Sequence, residues 1–143
     1  DLFLQQGNVP RGLPQRLLLP TSHERISLLP SSTALATLER QSPGQNGLGF
    51  VIAKSLAQLW NQFDHAIIDS PPLLGVLIVN ALAASQQLVI PVQTEFHAVK
   101  GLERMVNTLA MINRSRQQAL PYTIVPTLFV FLYIFGVYMV LQY

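Results

Sequence analysis

One stretch constrains this chain more than any other: Phe63-Asp64-His65-Ala66-Ile67-Ile68-Asp69-Ser70-Pro71-Pro72. An apolar run ends in an acid, and two prolines come directly after it. A parallel strand covered on both faces reads this way, because neither face tolerates charge along its length. The carboxylate then emerges at the C-terminal end of the strand, where open α/β sheets place their ligands. Pro71 and Pro72 have no N–H to give to a ladder, so they stop the strand and stiffen the loop after it. An Asp in this place has two uses. It faces a ligand, or it caps the next helix, and the stretch alone does not choose between them.

The rest of the chain alternates between strand and helix patterns. Residues 1 to 22 are rich in Gln, Gly and Pro and read as a loop around the apolar patch Leu17 to Leu19. Ile26 to Leu29 reads as a short strand closed by Pro30, and Ser31, Ser32 or Thr33 caps a short helix from Ala34 to Arg40. After a Pro/Gly loop from Ser42 to Gly49, Ile52, Leu56, Leu59, Trp60 and Phe63 fall on one stripe of a helix. A helix from about Leu74 to Ala84 comes after the prolines, then a strand from Leu88 to Val92. The next helix carries Leu102, Met105, Val106, Leu109 and Ile112, and a strand from Tyr122 to Thr127 comes after it. This alternation predicts an α/β fold with a parallel sheet and helices on both faces.

Composition bounds the function classes. A length of 143 residues suits one core. The net charge of +2 comes from only nine basic and seven acidic residues, too few for a surface devoted to nucleic acid. The absence of cysteine excludes disulfides and thiolate metal sites and is compatible with a reducing cytoplasm. His23, His65 and His97 are isolated, without the spacing of a zinc site. The last part of the chain breaks from this pattern. All four tyrosines fall from Tyr122 onward, and no charge comes after Arg116. The apolar run from Ile124 to Leu141 has 18 residues, but Pro126 and Thr127 lie inside it. That leaves Leu128 to Leu141, which is short for a bilayer span. Three readings stay open for this tail: the scar of a shifted frame or truncation, a membrane-seeking anchor, or a buried strand or helix.

The order of motifs closely resembles the ParA/MinD family of P-loop ATPases. In that family a strand ending in Asp-Thr/Ser-Pro-Pro leads to an Asn-Ala-Leu helix, then to a strand ending in Ile-Pro-Val, then to an acid before an Ala-x-x-Gly-Leu helix. The matching residues here are Asp69 to Pro72, Asn80 to Leu82, Ile90 to Val92, Glu95, and Ala98 to Leu102. The match continues upstream through Ile26 to Ser32 and Leu35 to Glu39, and downstream through Ile124 to Phe129. The resemblance implies a doubly wound P-loop NTPase-like fold that here lacks the first strand and the phosphate loop. No G-x-x-x-x-G-K-[ST] sequence occurs in the chain. The expected organisation is a partial ATPase domain over residues 1–129 and an apolar aromatic tail over 130–143.

The resemblance also implies the site. Asp69 is the expected catalytic and metal-side acid, holding Mg²⁺ through water. Pro71, Pro72 and Gly75 match the loop that senses the γ-phosphate, with Leu73 where the family has Gly; the alternative is a stiff turn. Pro126 and Thr127 match the segment beside the adenine ring. Asn80 is expected to tether the loop, and Glu95 to be a family acid or a strand-end surface acid. Lys100, Arg104, Arg114 and Arg116 form a basic rim, read as a solvated face or a nonspecific DNA surface. The implied cofactors are ATP and Mg²⁺. The implied assembly is a cytoplasmic homodimer driven by ATP, with a ParB-like or polar-scaffold activating partner, that positions DNA or polar machinery such as chemotaxis or flagellar assemblies. Whether the chain hydrolyses ATP alone is left open, since the phosphate loop is missing. The alternative is a non-enzymatic protein held at the inner membrane by its tail. The tail is also expected to be a sticky surface whose removal improves solubility.

Overall fold

The structure is a computed structural model that describes residues 2–5, 7–35, 37, 48–70, 75–116, 118–127 and 137–142. The chain divides into two compact units, one of Asp1–Asp64 with Gly75–Ala84 and one of His65–Leu74 with Ser85–Gln142.

The first unit is built on helices. A 3-10 turn over Leu2–Gln5 precedes helix α1, Leu13–Leu17. Helix α2 spans Val51–Leu59 after a 3-10 turn at Leu48–Phe50, and helix α3 spans Val76–Ala84. Leu2, Phe3, Leu48 and Val51 form the buried centre, against which Leu13, Leu17 and Val76 pack. Leu2–Gln5 and Leu13–Leu17 are therefore not the loop their composition suggests. Gly12 enters α1 with φ of 77°, a left-handed conformation that costs glycine little. Pro14 sits in the first turn, where its fixed φ suits a helix and its missing N–H costs nothing. Gln58 on α2 ties this segment down: its Oε1 accepts from Gly12 N–H at 2.9 Å, and its Nε2 donates to the Val9 carbonyl at 3.2 Å. Lys54 Nζ donates to the Gly7 carbonyl at 2.6 Å.

Two further expectations in this unit change. The strand near Ile26 exists as β2, Ser27–Leu28, but it pairs antiparallel with β1, Leu19–Pro20, in an exposed ribbon separate from the main sheet. The Thr21 hydroxyl closes that ribbon by donating to the Ile26 carbonyl at 2.8 Å. The stripe through Trp60 and Phe63 is cut short because α2 ends at Leu59, and Trp60 is exposed. Most of the short helix expected from Ala34 to Arg40 lies outside the described residues.

The second unit is a four-stranded sheet with one long helix. Its strands are β3, His65–Ser70, β4, Gln87–Gln93, β5, Tyr122–Thr127, and β6, Val137–Gln142, in the order β3-β6-β4-β5. Helix α4, Phe96–Ser115, packs on β4 and buries Met105 and Leu109. β4 and β5 are parallel, with Leu88 opposite Tyr122 and Gln93 opposite Thr127. The expected parallel strands are therefore present. Their sheet is nevertheless mixed, because β6 runs antiparallel to both of its neighbours.

β6 bears on two expectations. The residues from Val137 to Gln142, read as part of an undecided tail, form a strand inside the sheet. Six of its residues register with β3 and three with β4. Among the described residues, no helix is long and apolar enough to cross a membrane. β3 was expected to be buried on both faces. Instead it is an edge strand of this sheet, with His65, Ile67 and Asp69 exposed, because among the described residues β6 alone pairs with it.

Candidate functional site

The site is the C-terminal edge of the sheet in the second unit. β3 and β4 each run antiparallel to β6, so they run parallel to each other, and β5 runs parallel to β4. Asp69 near the end of β3 and Gln93 and Thr127 at the ends of β4 and β5 therefore emerge at one edge. Asp69 is exposed, while Ser70 after it is buried at 4 %. An exposed, ionised carboxylate accepts hydrogen bonds only, which suits the water shell of a hard cation. Pro126 is opposite Val92 and exposed, and Thr127 is opposite Gln93 and half-buried. The structure thus brings Asp69, Pro126 and Thr127 to the same edge of one unit. Pro71 and Pro72 lie outside the described residues. Gly75 is half-buried in the first unit, where its carbonyl accepts from Val79 N–H at 3.2 Å and so opens α3.

The edge carries more than the sequence singled out. Helix α4 starts there, directly after the exposed residues Thr94 and Glu95. Glu95 stands at the N-cap in extended backbone, but its side chain makes no capping bond. Its carbonyl accepts from Val99 N–H at 3.2 Å. Phe96 is 70 % exposed, with Lys100 Nζ 5.1 Å from its ring centroid and the His97 ring edge-on at 5.8 Å. The spacing of Phe96 and Lys100, one helical turn apart, was the available signal for this cation–π pair.

Asn80, expected to tether the loop after Asp69, is placed in the first unit, and residues 71–74 of that loop lie outside the described residues. It is fully buried, and its Oδ1 accepts from Ile52 N–H at 3.2 Å. Its Nδ2 donates to the carbonyls of Leu48 and Val76, the latter at 2.8 Å. The N-cap residue of α2, Phe50, makes no side-chain cap. Asn80 therefore supplies from α3 an acceptor that the first turn of α2 lacks. What it holds is the start of α2.

The basic rim divides. Arg116 donates from Nε to the Gln118 carbonyl and from Nη2 to the Ser85 carbonyl, each at 3.2 Å, so it closes the turn after α4. Arg104 and Arg114 are exposed, and Lys100 covers Phe96. Among the described residues, no group of three or more His, Cys, Asp or Glu side chains is placed to hold a metal ion. The chain's own residues do not fit the phosphates of a nucleotide, since no Gly-Lys phosphate loop is among them.

A family model described as an AAA domain matches residues 12–122. The chromosome partitioning protein ParA of Myxococcus xanthus is 34% identical over 100 residues, covering 70% of this chain and 35% of the relative. The sporulation initiation inhibitor protein Soj of Bacillus subtilis is 33% identical over 98 residues, covering 68% of this chain and 39% of the relative. Among solved structures, cobyrinic acid a,c-diamide synthase of Mycobacterium smegmatis with bound ADP and magnesium superposes with a TM-score of 0.71 at 32% identity. That match covers 81% of this chain and 47% of the synthase. The same enzyme with an ATP analogue and magnesium gives a TM-score of 0.67 at 31% identity. The chain spans well under half the length of these two relatives, ParA and Soj.

Proposed function

Because the chain belongs to the ParA/MinD family of P-loop ATPases, we propose that it supplies the Mg²⁺-side wall of an ATP site. The observation that carries this reading is the exposed carboxylate of Asp69 at the edge where the parallel strands β4 and β5 also end. Mg²⁺ bound there supplies charge neutralisation to the β- and γ-phosphates. Asp69 orients the water shell of that ion. Pro126 and Thr127, at the end of β5, form the side toward the base. Pro71, Pro72 and Gly75 take, by their match to the family's sequence alone, the role of sensing the γ-phosphate.

The whole activity follows the family pattern: ATP-dependent dimerisation and slow hydrolysis stimulated by a partner, used to position DNA or a polar assembly. The name of the Myxococcus relative supports the positioning of DNA, and the nucleotide and magnesium bound by the synthase support an ATP site. The chain alone does not turn over ATP, because phosphoryl transfer depends on positioning and charge neutralisation that one acid does not provide.

The test is a chimera in which residues 20–127 replace the matching segment of the Myxococcus ParA, keeping that protein's own phosphate loop. Magnesium-dependent ATP hydrolysis by the chimera supports the assignment. A folded chimera that binds Mg·ATP no better than one carrying Asp69→Asn assigns Asp69 to capping alone.

A further inference from the structure

We propose, building on the ATP-site reading, that Gln93 determines the base specificity of that site, its carboxamide reading the amino edge of adenine beside Thr127. β4 reads Gln-Leu-Val-Ile-Pro-Val-Gln, so Gln93 is the first polar side chain after an apolar run and stands at the C-terminal end of the strand. It is half-buried, whereas Gln87 at the other end is exposed. Directly paired residues of neighbouring strands project to the same face. Gln93 and Thr127, partners across the parallel strands β4 and β5, therefore share a face and a level. Strands sit about 4.8 Å apart, a spacing that one planar base bridges. Pro126 pairs with Val92 and projects to the opposite face, as do Leu88 and Ile90, the most deeply buried residues of β4. Gln93 and Thr127 are left on the more open face of that strand pair.

The Gln93 carboxamide has no task within the chain. Among the described residues, neither it nor the Thr127 hydroxyl makes a hydrogen bond. The half-buried carboxamides of the first unit do. Gln58 accepts from Gly12 N–H and donates to the Val9 carbonyl, and Gln15 donates to the Gln58 carbonyl at 2.6 Å. A polar group withdrawn from water without an internal partner loses free energy, which a partner from outside restores. Adenine matches this amide. Its exocyclic amine donates and the ring nitrogen N7 beside it accepts, the complement of Oε1 and Nε2. A purine with an oxygen in place of that amine presents two acceptors, and Oε1 then faces one of them. Leaving a polar group unpaired in this way is how a hydrogen-bonding site rejects an analogue.

The full chain, isotope-labelled for NMR, is titrated with adenosine and with inosine, which carries an oxygen where adenosine carries the amine. Neither probe has a phosphate and no magnesium is added, so the result is independent of Asp69 and of a phosphate loop. Adenosine is expected to shift the side-chain amide signals of Gln93, assigned by their loss in Gln93→Met. It should bind at least about fivefold more tightly than inosine, the lower end for a bidentate amide–base contact. Gln93→Met should remove that preference, and Gln87→Met, at the far end of the same strand, should keep it. Equal binding of the two nucleosides, no shift of the Gln93 amide by either at the limit of its solubility, or a preference that survives Gln93→Met overturns the assignment. A Gln93→Met chain that loses its folded spectrum makes the carboxamide structural and overturns it equally. Failure here beside a chimera with magnesium-dependent turnover strikes Gln93 and leaves the ATP site standing. Base preference beside an inactive chimera leaves Gln93 standing and strikes the Mg²⁺-side role.

Discussion

Asp69 and Val89 stand opposite the same residue, Tyr138, one from each side of β6. Among the described residues, β3 continues from that common level through Ser70, and β4 through Gln93. The edge is therefore stepped by three residues, about 10 Å at roughly 3.3 Å per residue. β5 ends level with β4, Thr127 opposite Gln93. Asp69 thus lies on the lower tread of the step, with the ends of two longer parallel strands rising beyond it. This is where an open α/β sheet receives a ligand.

Asp69→Asn is expected to cut ATP hydrolysis in the chimera by at least ~10²-fold, the effect of losing one preorganised electrostatic group. The fold should be unaffected, because Asp69 is exposed and the substitution changes little volume. Steady-state turnover read beside circular dichroism checks both halves. Near-normal turnover would reduce Asp69 to a strand-end residue.

Asn80→Ala should be the most damaging single change in the first unit. It strips an acceptor from Ile52 N–H and donors from the Leu48 and Val76 carbonyls. Each buried group left unsatisfied costs about 1–3 kcal/mol, so a loss of about 3 kcal/mol is expected. Asn80→Asp keeps the acceptor for Ile52 but loses both donors and buries a charge, so it should be no better. Urea titration gives the numbers, and a shift under about 0.5 kcal/mol would deny the tether.

Much of this architecture was legible in the sequence because it is local. The prolines after Asp69 bound β3, and the spacing of Leu102, Met105 and Leu109 marks α4. Tyr122 to Thr127 was read to its ends. What escaped depends on contacts distant in sequence. Nothing near Val137 says that it pairs with Ser70, since partner choice across a sheet leaves no local period. Gln58 holds Val9 and Gly12 through an amide, a polar reach with no pattern to detect. Trp60 and Phe63 continued an apolar period past the point where the helix stops. Asp69, by contrast, was readable because strand, acid and breaker are adjacent. Its exposure depends on which strand is beside β3, and that the sequence did not disclose.

Arg116 and Arg104 should separate cleanly. Arg116→Ala removes bonds to the Gln118 and Ser85 carbonyls and should cost about 1–2 kcal/mol of stability. Arg104 is exposed, and Arg104→Ala should stay within about 0.5 kcal/mol of the parent. Thermal melts compare the two. Equal effects would mean that Arg116 is a solvated charge like its neighbours.

Phe96 and Lys100 should couple weakly. The pair is exposed, so a double-mutant cycle over Phe96→Ala and Lys100→Ala should return about 0.5–1 kcal/mol. Each single change should leave the fold in place, because Phe96 is 70 % exposed. A coupling indistinguishable from zero would show that the ammonium leaves the ring in solution.

Truncation after residue 136 tests an expectation drawn from composition, that deleting Val130 to Tyr143 improves solubility. As an uncharged apolar run, the end of the chain looks like a surface whose removal improves solubility. In the sheet, the same residues pair with β3 along all of its length and with β4 along part of it. Removing Val137 to Gln142 therefore uncovers two facing strand edges, one of which carries Ile67 at 69 % exposure. Neither edge has a charged residue other than Asp69 to discourage pairing with another molecule. The truncated chain should aggregate more readily than the full chain and melt with less cooperativity, read by light scattering and by a thermal scan at matched concentration. If β6 contributed nothing, the two chains would melt together and the truncated one would be the more soluble. The sheet order β3-β6-β4-β5 requires the opposite ranking.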